Sequence, residues 1–100
     1  MEIQQENSIA FEEYTIELGR VKSTLGRYLN NKGRKIGTPE IYGSDTGLEV
    51  TNSYYFDGAV INLTSIEELD PYSITNLEVE VLSDNEDKIK GLLRLFKSVA

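Results

Sequence analysis

The densest group of residues able to do chemistry is Asp84, Glu86, Asp87 and Lys88. Glu86-Asp87-Lys88 has the E-x-K spacing of a metal-dependent nuclease tail, in which carboxylates hold a magnesium ion and the lysine acts on the attacking water. The Pro-Asp partner such a site needs upstream is missing, because Asp70-Pro71 runs in the reverse order. The triplet also falls where a helix is expected to start, and a capping box with solvated acids accounts for it better. Histidine and cysteine are both absent from the chain. That removes the usual general base, thiolate nucleophiles, disulfides and Cys/His zinc sites. No phosphate-binding glycine loop and no Gly-x-Ser-x-Gly elbow occurs, and no carboxylate pair stands out for acid/base work. Asn62-Leu63-Thr64 is a glycosylation triplet by letters only, better explained as part of a strand.

What stands out is the order of the charges. The net charge of the 100-residue chain is −7, and the sequence pI is about 4.5. Between Leu18 and Lys35 lie Arg20, Lys22, Arg27, Lys32, Arg34 and Lys35 with no acid; between Ile36 and Asp87 lie twelve acids with no base. Lys88, Lys90, Arg94 and Lys97 follow. The basic run ending in Lys32-Gly33-Arg34-Lys35 would suit phosphate, but the acidity of the whole chain opposes long-range attraction to nucleic acid. Completion of a helix dipole is the simpler account. The acidic block, interleaved with tyrosines, suits a basic protein groove, since charge steers encounter and tyrosines supply contact area with a polar tip. The residues expected to meet such a partner are Glu49, Tyr54, Tyr55, Asp57, Glu67, Glu68, Asp70, Tyr72, Glu78 and Glu80. The competing account is a solvated acidic surface that keeps a small protein soluble.

These residues must be positioned by the elements around them. Phe11, Tyr14, Leu18, Val21, Leu25 and Tyr28 alternate steps of three and four, which predicts a helix from Ser8 or Ala10 to Asn30 with one apolar stripe. Gly19 and Gly26 share a flank of it where a sheet or helix could approach closely. Glu40-Ile41-Tyr42, between turn residues, is a short strand at most. Leu48–Phe56 and Ala59–Thr64 predict a hairpin about Asp57-Gly58, a pair suited to a type I′ turn. One face of its first strand would carry Leu48, Val50, Asn52, Tyr54 and Phe56, the other Glu49, Thr51, Ser53 and Tyr55. Ser65 to Glu68 reads as a capping box opening one helical turn, stopped by Asp70-Pro71. Ile74–Leu82 alternates as a half-buried strand, with Glu78 and Glu80 outward. Ser83 with Glu86 predicts the cap of a last helix, Asp84–Ser98.

The expected fold is therefore an α+β two-layer sandwich. An antiparallel sheet of about four strands carries an N-terminal and a C-terminal helix on one face, in the order α-β-β-β-short α-β-α. Residues 1–8 are expected to be a flexible segment and 9–100 one domain. No apolar run reaches the roughly 18 residues that span a bilayer, and the polar start lacks a basic leader, so the expected location is the cytoplasm. In size, charge and want of catalytic residues, though in no motif, the chain resembles small acidic immunity proteins and phage-encoded anti-defence inhibitors. The function expected is a non-enzymatic binding protein without metal or cofactor. It would inhibit or modulate a basic partner, such as a nucleic-acid-handling enzyme, if need be by imitating a nucleic-acid backbone. The alternatives are a self-associating structural or regulatory module, able to form a homodimer, and a magnesium-dependent hydrolase. Neither direct nucleic-acid binding nor membrane binding is expected.

Overall fold

The computed structural model describes residues 7–11, 18–69 and 72–100. In chain order the elements are β1 (Ser8–Ala10), α1 (Leu18–Lys32), β2 (Arg34–Gly43), β3 (Gly47–Phe56), β4 (Ala59–Leu69), β5 (Tyr72–Leu82) and α2 (Glu86–Val99). The class is α+β, and the sheet is antiparallel with five strands in the order β1-β5-β4-β3-β2, one more strand than expected. No helix is long and apolar enough to cross a membrane among the described residues.

Alternation explains the sheet and the side of it that the helices cover. Tyr54, Ile61, Leu63, Leu77, Val79 and Val81 share one face by register and are buried in a single cluster with Leu18, Leu25 and Leu29 of α1 and Ile89, Leu92 and Phe96 of α2. Both helices therefore lie on that face, termed inner here. Phe56 joins the layers, its ring 5.8 Å from Tyr28 of α1 and 5.9 Å from Phe96 of α2. The Asp57-Gly58 turn has φ of 52° and 77°, as a type I′ hairpin requires.

Four expectations are corrected. Ser8–Ala10, placed at the start of the first helix, is a strand on β5, held by Val81 N donating to Asn7 O and Phe11 N to Leu77 O at 2.8 and 2.9 Å. Ile9 and buried Phe11 point inward with a period of two, which the helical spacing beginning at Phe11 concealed. The described helix runs from Leu18 to Lys32, and Tyr14 lies outside the described residues. Second, β2 has ten residues where only Glu40–Tyr42 was expected. A bulge between Ile36 and Glu40, with Gly37 at φ 61°, absorbs the turn-forming Gly37-Thr38-Pro39 within the strand. Third, Ser65–Glu68 is strand: the Ser65 hydroxyl serves the Glu67 carboxylate instead of capping a helix. Fourth, Asn85 caps α2, its Oδ1 accepting from Lys88 N at 3.1 Å, while Ser83 Oγ accepts from Asn85 N.

The glycines also differ from expectation. Among the described residues a Cβ on Gly19 would meet nothing within 4 Å, and on Gly26 only the Tyr54 hydroxyl at 3.9 Å, so no close approach between described elements depends on them. At Gly47 and Gly33 it would lie 2.4 Å from the carbonyl oxygens of Glu67 and Tyr55. Gly47→Ala should therefore cost roughly 2 kcal/mol in urea unfolding. Gly19→Ala and Gly91→Ala, facing open space in α-helix, should each stabilise by about 0.5 to 1 kcal/mol.

Candidate functional site

With both helices on the inner face, the outer face of the sheet is left to solvent, and the register states what occupies it. Glu40 lies opposite Thr51, Tyr42 opposite Glu49, Thr64 between Thr51 and Glu78, and Asn62 between Ser53 and Glu80. The described carboxylates of this face are thus Glu40, Glu49, Glu68, Glu78 and Glu80, five against the one guanidinium of Arg34. Arg34 lies over the Tyr55 ring, 5.5 Å from its centroid. The cations of the two helices, among them Arg27, Lys32, Lys90, Arg94 and Lys97, are exposed on the other layer. Among the described residues no cation lies within 4 Å of Glu49, Glu68 or Glu78.

The middle of the face is neutral and hydrogen-bonded. Thr51 and Thr64 hydroxyls share a bond of 2.9 Å. Ser53 Oγ donates to Asn62 Oδ1 at 2.7 Å, and Asn62 Nδ2 donates to Glu80 Oε1 at 3.0 Å. This relay draws Glu80 toward β4 and holds it, at little entropic cost to any later contact. Sequence reasoning passed over Ser53 and Asn62 as site residues. Their signal was present, since hydroxyl and amide side chains alternate outward on both strands of one predicted hairpin.

The structure sorts the ten expected partner-binding residues between surfaces. Glu49, Tyr55, Glu68, Glu78 and Glu80 stand together on the outer face, and Asp57 is exposed in the β3–β4 turn. Tyr54 is 3% exposed and belongs to the core; burial pushes its hydroxyl pKa up, so it offers no surface to a partner. Glu67 and Tyr72 lie on the inner side, and Asp70 lies outside the described residues. Among the described residues no three acids are placed to hold one metal ion. Lys88, the lysine of the E-x-K triplet, donates instead to the Asp57 carbonyl at 2.7 Å.

Among the described residues Glu67 is the one carboxylate taken out of water, at 6% exposure. Lys22 Nζ donates to its Oε2 at 2.8 Å, Ser65 Oγ to the same oxygen at 2.7 Å, and Tyr72 OH to Oε1 at 2.7 Å. One side chain thereby ties α1, β4 and β5. Burial alone would raise its pKa, but the bonds from Lys22, Tyr72 and Ser65 and the lysine's charge outweigh it and hold the group at about 2. Tyr72 is raised in turn, chiefly by donating to this carboxylate. No known protein family, curated protein or solved structure matches the chain.

Because the folded pKa of Glu67 lies below its unfolded value of about 4.5, its stabilisation is complete above pH 4.5 and is lost as pH falls toward 2. Acid unfolding should show this limb, worth on the order of 3 kcal/mol at most. Lys22→Met should cost roughly 1 to 3 kcal/mol at neutral pH and move the limb to higher pH, because the buried carboxylate then keeps only its two hydroxyl donors.

Proposed function

We propose that the protein is a non-enzymatic binding protein whose acidic outer sheet face docks a basic partner protein and thereby inhibits or modulates it. The observation that supports this reading is the imbalance of that face, five described carboxylates to one guanidinium, on the side of the sheet turned away from both described helices. A low-dielectric sheet beneath the acids projects their field into solvent and raises the encounter rate with a cationic groove. Tyr55 and Tyr42, 49% and 67% exposed, add contact area between the charges. A nucleic-acid-handling enzyme is the partner class that presents such a groove, and the acids would then stand where phosphates otherwise bind. The chain's want of histidine and cysteine fits a role in recognition.

A second reading, a self-associating module, is favoured by the opposite charge of the two layers, since the helix layer of one copy complements the sheet face of another. Sedimentation that stays monomeric at high micromolar concentration and low salt removes it.

For the first reading the test is capture by the immobilised protein at low and high salt. A partner retained at low salt and released at high salt is expected. The combined variant Glu49→Lys, Glu68→Lys, Glu78→Lys should weaken retention about tenfold or more with its circular dichroism unchanged, because none of the three makes an ion pair among the described residues. Undiminished retention by that variant, or none by the wild type at low salt, contradicts the reading.

A further inference from the structure

β2 is the outermost strand of the sheet, and its backbone shows which of its groups are unpaired. Ser44 N donates to Gly47 O at 2.8 Å, which makes Ser44 and Gly47 a bonded pair closing the β2–β3 turn. Bonded pairs then recur at Tyr42/Glu49 and Glu40/Thr51 along the register. The amides and carbonyls of Ile41 and Gly43 consequently point away from β3, where no further strand lies among the described residues. The bulge at Gly37 and the missing N–H of Pro39 end the usable edge on one side, so the open stretch is Pro39 to Gly43. Ile41 and Tyr42 on it are 59% and 67% exposed.

The charges around this stretch have one sign. Glu40 stands on it, Glu49 lies opposite Tyr42, and Asp45 and Glu68 join Tyr42 and Glu49 in lining a hollow of about 770 Å³ at the turn. Arg34 and Lys35 lie on the same strand beyond the bulge. A second copy paired antiparallel about Ile41 would set Glu40 of each copy beside Tyr42 of the other, in one cross-strand row with Glu49, which like-charge repulsion disfavours. An extended segment carrying lysine or arginine at alternate positions meets the same edge with opposite charge.

We propose that the free edge of β2, Pro39 to Gly43, receives an extended basic segment of the partner as a sixth strand. The proposal rests on the basic-partner reading and adds the binding mode and the partner's local structure. Main-chain bonds to Ile41 and Gly43 give the affinity. The segment's alternate cations face Glu40 and Glu49 on the outer side, and its other side chains cover Ile41 on the inner side. In this arrangement the strand continues the acidic face instead of lying upon it.

The probe is a short synthetic peptide alternating lysine and threonine, titrated at low salt, with a glutamate–threonine peptide as control. Amide hydrogen exchange is read residue by residue. Exchange at Ile41 and Gly43 is expected to slow about tenfold with the lysine peptide and not with the control. Ile41→Pro should abolish the slowing, and it should leave the fold intact because the N–H it removes points outward. Slowing or shift changes confined to Glu78, Glu80 and their neighbours would overturn the edge proposal while leaving the basic-partner reading standing. Protection of Ile41 and Gly43 that grows with protein concentration in the absence of peptide would make the occupant a second copy, overturning it also. No response to the lysine peptide overturns it too, and the capture experiment then decides the broader reading separately.

Discussion

The constraint on which the rest depends is the two-residue period of β3, β4 and β5 taken together with two helices that share one side. The fully buried inward positions of the central strands are spent on Tyr54, Ala59, Ile61, Leu63, Leu77, Val79 and Val81 and on the Ser65 and Glu67 pair. Every outward position is then free of packing demands, because a strand cannot send neighbouring side chains the same way. Surfaces released in this way can take charge at almost no cost to the core. The protein has concentrated carboxylates there and placed the cations of both helices on the opposite layer.

Glu67 shows the same rule from the other side. Its parity sends it inward, so the carboxylate must be satisfied, and Lys22, Ser65 and Tyr72 together do this. The pair locks α1 across β4 close to the turn where Leu69 N donates to Thr46 O at 3.4 Å, which holds the end of β4 against that turn. The stiffness of this end matters because the open edge of β2 and the acids of the β2–β3 turn both rest on it. Binding to a surface already held costs less ordering entropy than binding to one that must first fold.

Much of this architecture was legible where one period dominated. Leu77, Val79 and Val81, the Asp57-Gly58 turn and the apolar spacing of Ile89 to Phe96 led directly to β5, the hairpin and α2. Legibility failed where two signals overlapped. Ile9 and Phe11 alternate as strand while Phe11 also opens a helical stripe, and Gly37-Thr38-Pro39 is turn chemistry that a bulge can house inside a strand. Ser65 and Glu68 spell a helix cap, yet Ser65 is needed as a donor to Glu67. Of the surface, the outward parity of Glu49, Glu78 and Glu80 could be read from sequence, and so could the inward parity of Tyr54. The edge status of β2, and the Ser53-Asn62-Glu80 relay, depend on which strands become neighbours, and no local pattern states that.

The most direct measurement of the central claim is carboxyl footprinting of the protein free and bound to a captured basic partner. The account predicts that Glu49, Glu68, Glu78 and Glu80 lose labelling in the complex while Asp87, on the helix layer, labels as before. Protection of Asp87, together with full labelling of the four sheet glutamates, would place the partner on the helices and contradict the account.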